Sequence, residues 1–341
     1  MKALKYILFI VLIAIIGTVI YIEVQPNDFA FSRSRTIDAP TEVVFNQVND
    51  FKNWPRFSPW IEQEPNATLT YGEKTAGVDA SYGWNGDILG EGRMETLAVE
   101  DNKSINQHIT FIKPFESESD INWTFESTPE GTKVTWGMKG KQDFMTKMYT
   151  VFAGSIEDMT APDFDRGLFK LDSIVKADMQ KYTVTINGIT QHSGGFYLYN
   201  TASCKISELP NKMQDMFPLL SRYAKENNIT IAGPPFVNYH TWDEKNNATI
   251  FSCCIPTTDR VITTKESILT GELPSFRALK TTLQGNYSNL KEAWAKAMKY
   301  IPDNELSFAE SGPMLEAYVT DPTNHPNPAD WITEIYIAIK E

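Results

Sequence analysis

Ile231-Ala-Gly-Pro-Pro-Phe-Val-Asn-Tyr239 and Glu310-Ser-Gly-Pro-Met-Leu-Glu-Ala-Tyr318 are two versions of one segment, each with a glycine six residues before its closing tyrosine. A polar turn follows each, and then a strand-forming run: Ala248–Pro256 after the first, Trp331–Ile339 after the second. Upstream of each lies a stretch with apolar residues at helical spacing. Leu209–Asn227 carries Met213, Met216, Phe217, Leu220 and Tyr223; Ser288–Tyr300 carries Leu290, Ala293, Trp294, Ala297 and Met298. The pattern strand, helix, strand, strand therefore occurs twice, and a tandem repeat is the organising fact of residues 182–341. Two such copies with their sheets side by side leave a cleft on the pseudo-twofold axis, where a ligand meets both halves.

The preceding residues, 28–178, are organised differently. Phe31–Asp38 alternates in character and stops at Ala39-Pro40, where proline cannot continue a ladder. Val44, Phe45 and Val48 then fall at helical spacing after Thr41, and Asp50–Trp60 holds two prolines among bulky aromatics, which reads as an irregular connection. Strand-like runs follow around Thr68–Tyr71, Val78–Trp84, Gly90–Val99, Ser104–Phe111, Ser117–Ser127 and Thr132–Lys139. Phe164, Leu168, Leu171 and Val175 lie on one face of a long closing helix. The chain as a whole is α+β. Its first part is a helix-grip domain, a curved antiparallel sheet around a long C-terminal helix, and its second is the strand-helix-strand-strand repeat.

Residues 1–23 form a separate object, an N-terminal transmembrane helix. Lys2 and Lys5 precede Tyr6–Ile22, an uncharged run of mostly Ile, Leu and Val. At 1.5 Å per residue it is about 26 Å long, enough to span a bilayer. A cleaved signal peptide would need a shorter apolar core and small residues at the cut, whereas Ile20, Tyr21 and Ile22 run directly into Glu23. A membrane anchor through residues 6–22 is the expectation. The two lysines place the N-terminus in the cytoplasm and the rest of the chain outside the inner membrane.

The 341 residues carry 31 Lys plus Arg against 43 Asp plus Glu, a net charge of −12. A field of that sign repels phosphate backbones and disfavours nucleic acid as a direct partner. Cys204, Cys253 and Cys254 form neither a disulfide framework nor a metal-ligand spacing, so neither a metal nor another cofactor is expected. Cys253-Cys254 reads as a pair of strand thiols behaving as small hydrophobes.

Two resemblances sharpen these readings. Arg35–Phe45, Asn53–Trp60 and Phe164–Leu171 resemble the START-like, polyketide cyclase or SRPBCC, superfamily. That resemblance implies an apolar cavity between sheet and helix, with lipids, hormones or polyketides as ligands. Trp54, Trp60 and Trp84 become cavity-lining candidates there, ordinary core being the alternative; Trp54 and Trp60 lie on what reads as a loop, where core duty is less expected.

Ala278–Tyr287, Trp294, Glu316–Tyr318, Asp321-Pro322 and Thr333–Tyr336, with Phe236–Asp243 as the earlier copy, resemble the GyrI-like small-molecule-binding family. This family also supplies effector domains to multidrug-sensing AraC- and MerR-type regulators, although no helix-turn-helix is evident in this sequence. The resemblance implies a strand glutamate facing the ligand in an aromatic cleft, a position that Glu334 matches. Such a carboxylate titrates, points to solvent or meets a cation. Tyr318, Glu316, Trp294 and Tyr239 complete the ligand-binding candidates, and hydrophobic or cationic small molecules are the expected ligands through charge and cation–π attraction. Some members are hydrolases that use a Tyr and a Glu on water, which makes Glu334 and Tyr318 the catalytic candidates. Glu316 is a second carboxylate whose strand parity puts it on the face of Tyr318. The reading is a membrane-anchored small-molecule or lipid binder, with a hydrolase in the C-terminal cleft as the alternative.

Overall fold

The computed structural model describes residues 2–340, with side chains from Leu4 onward. The chain divides into two compact units, Met1–Ala177 and Asp178–Glu341. In the first, helix α1 (Lys2–Glu23) leads into β1 (Asp28–Ile37), α2 (Thr41–Asn49) and two short helices, α3 (Trp54–Phe57) and α4 (Pro59–Gln63). A meander follows: β2 (Thr68–Tyr71), β3 (Ser81–Gly86), β4 (Gly90–Glu100), β5 (Ser104–Lys113), β6 (Ser117–Thr128) and β7 (Gly131–Lys141). Helices α5 (Phe144–Ala153) and α6 (Ile156–Met179) close the unit.

The seven strands form one antiparallel sheet in the order β1-β7-β6-β5-β4-β3-β2. The long closing helix is real, and its face is the one the spacing indicated: Phe164, Leu168, Leu171 and Val175 are all buried. Arg35 on β1 ties the helix to the sheet edge, its Nε and Nη2 donating to Asp172 Oδ2 at 2.9 and 2.8 Å while Lys176 holds Oδ1 at 2.8 Å. A buried carboxylate on a helix is tolerable only with such partners.

The core of this unit is aromatic. Trp136 stacks on Phe164 of α6 at 4.0 Å and on Trp123 at 4.3 Å, with Trp54 edge-on to both tryptophans. Gly167 lets α6 approach this stack, because a Cβ there would lie 2.8 Å from Trp136 Cζ3. Alanine gains about 1 kcal/mol of helix propensity over glycine, whereas overpacking a filled core costs about 1–3 kcal/mol. The steric term is the larger at so short a contact. Gly167→Ala is therefore expected to lower the melting temperature of the first unit in thermal denaturation, and an unchanged or higher value would show that the indole yields freely.

The second unit begins with β8 (Thr183–His192) and β9 (Gly195–Lys205), then α7 (Leu209–Glu226), β10 (Phe236–Asp243), β11 (Ala248–Thr257) and β12 (Leu269–Leu273). It ends with β13 (Phe276–Gln284), α8 (Leu290–Asp303), β14 (Met314–Tyr318) and β15 (Ile332–Ala338). All eight strands make one sheet, β12-β9-β11-β10-β14-β15-β13-β8. The order β9-β11-β10 mirrors β14-β15-β13 about the central pair, which is the expected repeat.

One feature of the topology is invisible to periodicity: the first strand of each copy is exchanged. β8 pairs with β13 of the second copy and β12 with β9 of the first, although β8 reaches β9 and β12 reaches β13 through links of two residues. Links so short force the sheet to curve until its two ends meet. At that corner Gly194 has φ +69°, and a Cβ would fall 2.1 Å from the carbonyl oxygen of Leu273. Helices α7 and α8 cover one face of the sheet, where Leu198, Val237 and Phe251 pack under α7 and Leu283, Ile335 and Ile337 under α8. The other face carries Phe236, Cys254, Leu315, Ala317 and Tyr336.

Candidate functional site

Parity on β14 sets the site. Glu316 and Tyr318 are two residues apart and share a face, while Ala317 between them points to the other. The register pairs Glu316 with Val237 on one side and Ile335 on the other, so its side chain lies on the helix-covered face between the two repeats. Trp294 of α8 donates its indole N–H to Glu316 Oε2 at 2.6 Å, and the Tyr318 hydroxyl donates to Oε1. Tyr239 of β10 adds a third hydrogen bond. Its ring meets Trp294 edge-on at 5.6 Å and Trp242 at 5.5 Å. Phe217 of α7 and Tyr287, from the turn before α8, both pack edge-on against Tyr318, at 5.9 and 5.4 Å.

The carboxylate at the base of this aromatic group is 3% exposed, whereas Tyr239, Trp294, Tyr318, Tyr287 and Phe217 around it are half-buried. Burial pushes the Glu316 carboxyl above its usual range against the three hydrogen bonds that pull it down, and among the described residues no cationic side chain contributes. Burial beside Glu316 also pushes the phenols up, Tyr287 to about 12 and Tyr239 and Tyr318 well above their usual 10. The three phenols stay protonated and remain donors. The site thus offers one acidic group, three hydrogen-bond donors aimed at it, and aromatic faces on several sides.

Glu334 belongs elsewhere. It stands opposite Ala317 in the register, so it occupies the face away from Glu316 and Tyr318. There Lys280 Nζ binds it at 2.7 Å and the Tyr336 hydroxyl donates to it at 2.6 Å. The strand carboxylate does meet a cation, but one from its own chain. The register therefore separates Glu334 from Tyr318, and the carboxylate that Tyr318 meets is Glu316.

The first unit's candidates are distributed differently as well. Trp54 is buried and donates to the Val48 carbonyl at 2.8 Å, and it starts a short helix where a loop was expected. The cause is local: Pro55 and Pro59 sit in the first turns of α3 and α4, where proline favours helix, and the compact turns fold Trp54 inward. Trp60 is half-buried, edge-on to Trp136 and Phe164, and Trp84 packs between Tyr82 and Phe111. Trp60, Trp123, Trp136 and Phe164 pack together between the sheet and α6, the region that the resemblance gives to a ligand. An open niche of about 390 Å³ lies instead against the end of α1, lined by Glu23, Asn27, Asp28, Lys141, Gln142, Asp143, Phe144 and Lys147.

Tyr287, Phe217 and Trp242 were absent from the candidate set. Tyr287 lies in the Gly-Asn-Tyr stretch of the GyrI-like resemblance, and Phe217 on the helical stripe of α7, so both had a signal. Burial raises Cys253 to about 12 and Cys254 further, which keeps both thiols protonated and unreactive near neutrality.

Comparison with known proteins agrees with this division. Residues 37–169 match the family described as polyketide cyclase / dehydrase and lipid transport, and residues 197–340 match the GyrI-like small molecule binding domain. A provisionally named polyketide cyclase of Streptomyces halstedii is 29% identical over 105 residues, which cover 29% of this chain and 90% of that protein. Among solved structures, the C-terminal domain of EcmrR is similar at 17% identity, covering 47% of this chain and 98% of that one, with a TM-score of 0.41. SAV2435, solved bound to tetraphenylphosphonium, is 15% identical, covering 47% of this chain and 94% of that one, with a TM-score of 0.35. Two family models thus match in succession, a polyketide cyclase/SRPBCC-like one over residues 37–169 and a GyrI-like one over residues 197–340, and both describe small-molecule-binding domains.

Proposed function

We propose that the protein is a membrane-anchored receptor for lipophilic cations, which bind in the cleft over Glu316. One observation carries this reading: Glu316 is buried, hydrogen-bonded by aromatic residues and has no cation of its own. An ionised carboxylate in such surroundings costs several kcal/mol of desolvation, which a bound cation offsets. Trp294, Tyr239, Tyr318 and Tyr287 supply ring faces that favour a cation over a neutral compound of the same shape. Cationic character and aromatic surface are the two properties selected.

The domain limits that accompany this reading are 1–23 for the anchor, 28–178 for the helix-grip domain and 182–341 for the receptor domain. Helix α1 supports the anchor: its Leu4–Glu23 stretch of 20 residues is long and apolar enough to cross a membrane, and it is almost wholly exposed. Lys2 and Lys5 orient it with the globular part outside the inner membrane.

Fluorescence titration with tetraphenylphosphonium and with neutral triphenylphosphine oxide tests the proposal. The cation is expected to bind at least about tenfold more tightly, a difference of about 1.4 kcal/mol. Equal binding of the two, or none, refutes it. Glu316 with its hydrogen-bonded Tyr318 also has the composition of a hydrolytic pair. Release of product from an activated ester, lost in Glu316→Gln, would favour turnover over simple binding.

A further inference from the structure

We propose that α5 and two hairpin tips of the first unit form a membrane-docking surface that lies in the headgroup region beside the end of α1. The occupant is a lipid bilayer surface. This rests on the reading of α1 as a membrane span.

Helix α5 turns its apolar residues outward. At 100° per residue, Phe144, Met145, Met148, Tyr149 and Phe152 fall within an arc of roughly 140°, while Thr146, Lys147 and Thr150 share the rest with the smaller Val151 and Ala153. The only buried side chain of the helix is Lys147. The apolar arc faces solvent, with Phe152 at 76% exposure and Met145 and Tyr149 close behind. A surface helix of a soluble domain has the reverse arrangement.

The helix is fixed to the end of the span. Lys147 Nζ donates to the backbone carbonyl of Glu23, the last residue of α1, at 3.0 Å, and Ile22 is buried although nearly all the rest of α1 is exposed. Asp143 caps α5 by accepting from the Thr146 N–H at 2.7 Å, and only two residues separate the helix from the end of β7. If α1 crosses a bilayer, α5 is held where the bilayer ends.

The sheet register brings two further apolar residues to the same level. Asp28, where the chain enters the sheet, pairs with Lys141 at the end of β7, and Gly140 beside it pairs with Ser119 at the start of β6. The β5–β6 turn is therefore at this end, and the pairing of Glu91 with Lys113 brings the β3–β4 turn there too. Phe115 at the first turn is 81% exposed and Ile88 at the second 70%. Turn tips are ordinarily polar. Three separate segments thus present apolar side chains at the end of the unit nearest the span.

Charge excludes a polybasic mode of attachment. Lys113 and Lys141 are outnumbered at this end by Asp28, Asp87, Glu91, Glu116 and Asp143, and Lys147 is turned inward to α1. Attachment must come from buried apolar area, and it should therefore be indifferent to anionic lipid and to salt.

The test uses the full chain with Cys204→Ser and a single environment-sensitive fluorophore, at Phe152→Cys or, as control, at Glu130→Cys in the turn at the far end of the sheet. Both positions are exposed, so folding is preserved. Each protein is placed in phosphatidylcholine vesicles with and without bromine in the acyl chains. Bromine is expected to cut the emission at position 152 by roughly half or more and to leave position 130 almost unchanged, since an interfacial helix sits roughly 5–10 Å into the headgroup and acyl boundary. Unquenched label at 152 in a chain that survives an alkaline carbonate wash overturns the docking surface and leaves the anchor standing. Loss of the chain in the wash overturns the anchor and the docking with it. A blue shift at 152 that grows with protein concentration and ignores bromine identifies a second copy as the occupant, and likewise overturns the proposal.

Discussion

Replacing Trp136 with alanine is expected to lower the unfolding free energy of the first unit by about 3–5 kcal/mol, the range for truncating a large buried aromatic. The residue is 1% exposed and holds together three elements: Trp123 on β6, Phe164 on α6 and Trp60 on α4. At about 2–4 °C per kcal/mol for a unit of this size, its thermal transition should fall by roughly 6–20 °C. Calorimetry of the full chain reads this, and the transition of the second unit should stay where it was. Trp136→Phe separates packing from polarity. Among the described residues the buried Trp136 indole N–H has no hydrogen-bond partner, and leaving such a group unsatisfied costs about 1–3 kcal/mol. Phenylalanine loses volume but removes that group, so its loss should be well below that of alanine. A loss under about 1 kcal/mol for alanine would show that the indole borders open space and would restore a ligand cavity between sheet and helix.

That test bears on what the sequence could show. The meander, the closing helix and the repeat were legible because each rests on local periodicity, and β2 and the four apolar positions Phe164, Leu168, Leu171 and Val175 of α6 follow it closely. The exchange of β8 and β12 was not, since strand pairing between residues about seventy to a hundred apart leaves no trace in alternation. Helix α5 escaped notice because its apolar arc faces outward, contrary to the pattern by which buried helices are found. The site shows the same limit. Parity within one strand placed Glu316 with Tyr318 correctly, but deciding between Glu316 and Glu334 required the register of β14 on β15. The resemblance points to Glu334, and only the register shows that it lies on the face opposite Tyr318.

Replacing Glu316 with glutamine is expected to weaken tetraphenylphosphonium binding by about 10- to 100-fold, or about 1.4–2.7 kcal/mol, the scale of a charge-assisted contact. Glutamine retains the shape. Its carbonyl can accept from Trp294, and its amide can donate to a tyrosine hydroxyl that rotates to receive it. Stability should move the other way. The folded-state carboxyl is raised above its usual 4.5 by burial, so the stability that protonation gives is present below pH 4.5 and is lost as pH rises through the raised value. Above that value the wild type carries a buried, unpaired charge and the glutamine variant does not. The variant's second unit should therefore melt at a higher temperature near neutrality, and the two proteins should converge as pH falls toward 4.5. Wild-type affinity should climb with pH through the same window, because only the carboxylate attracts the cation, while the affinity of the variant stays flat. Glu334→Gln, on the opposite face and already paired with Lys280, should leave affinity within about twofold. Titrations and melts of the three proteins across pH 4–8 decide the matter. Equal cation affinity of wild type and Glu316→Gln would remove Glu316 from the binding site, whatever its burial does to stability.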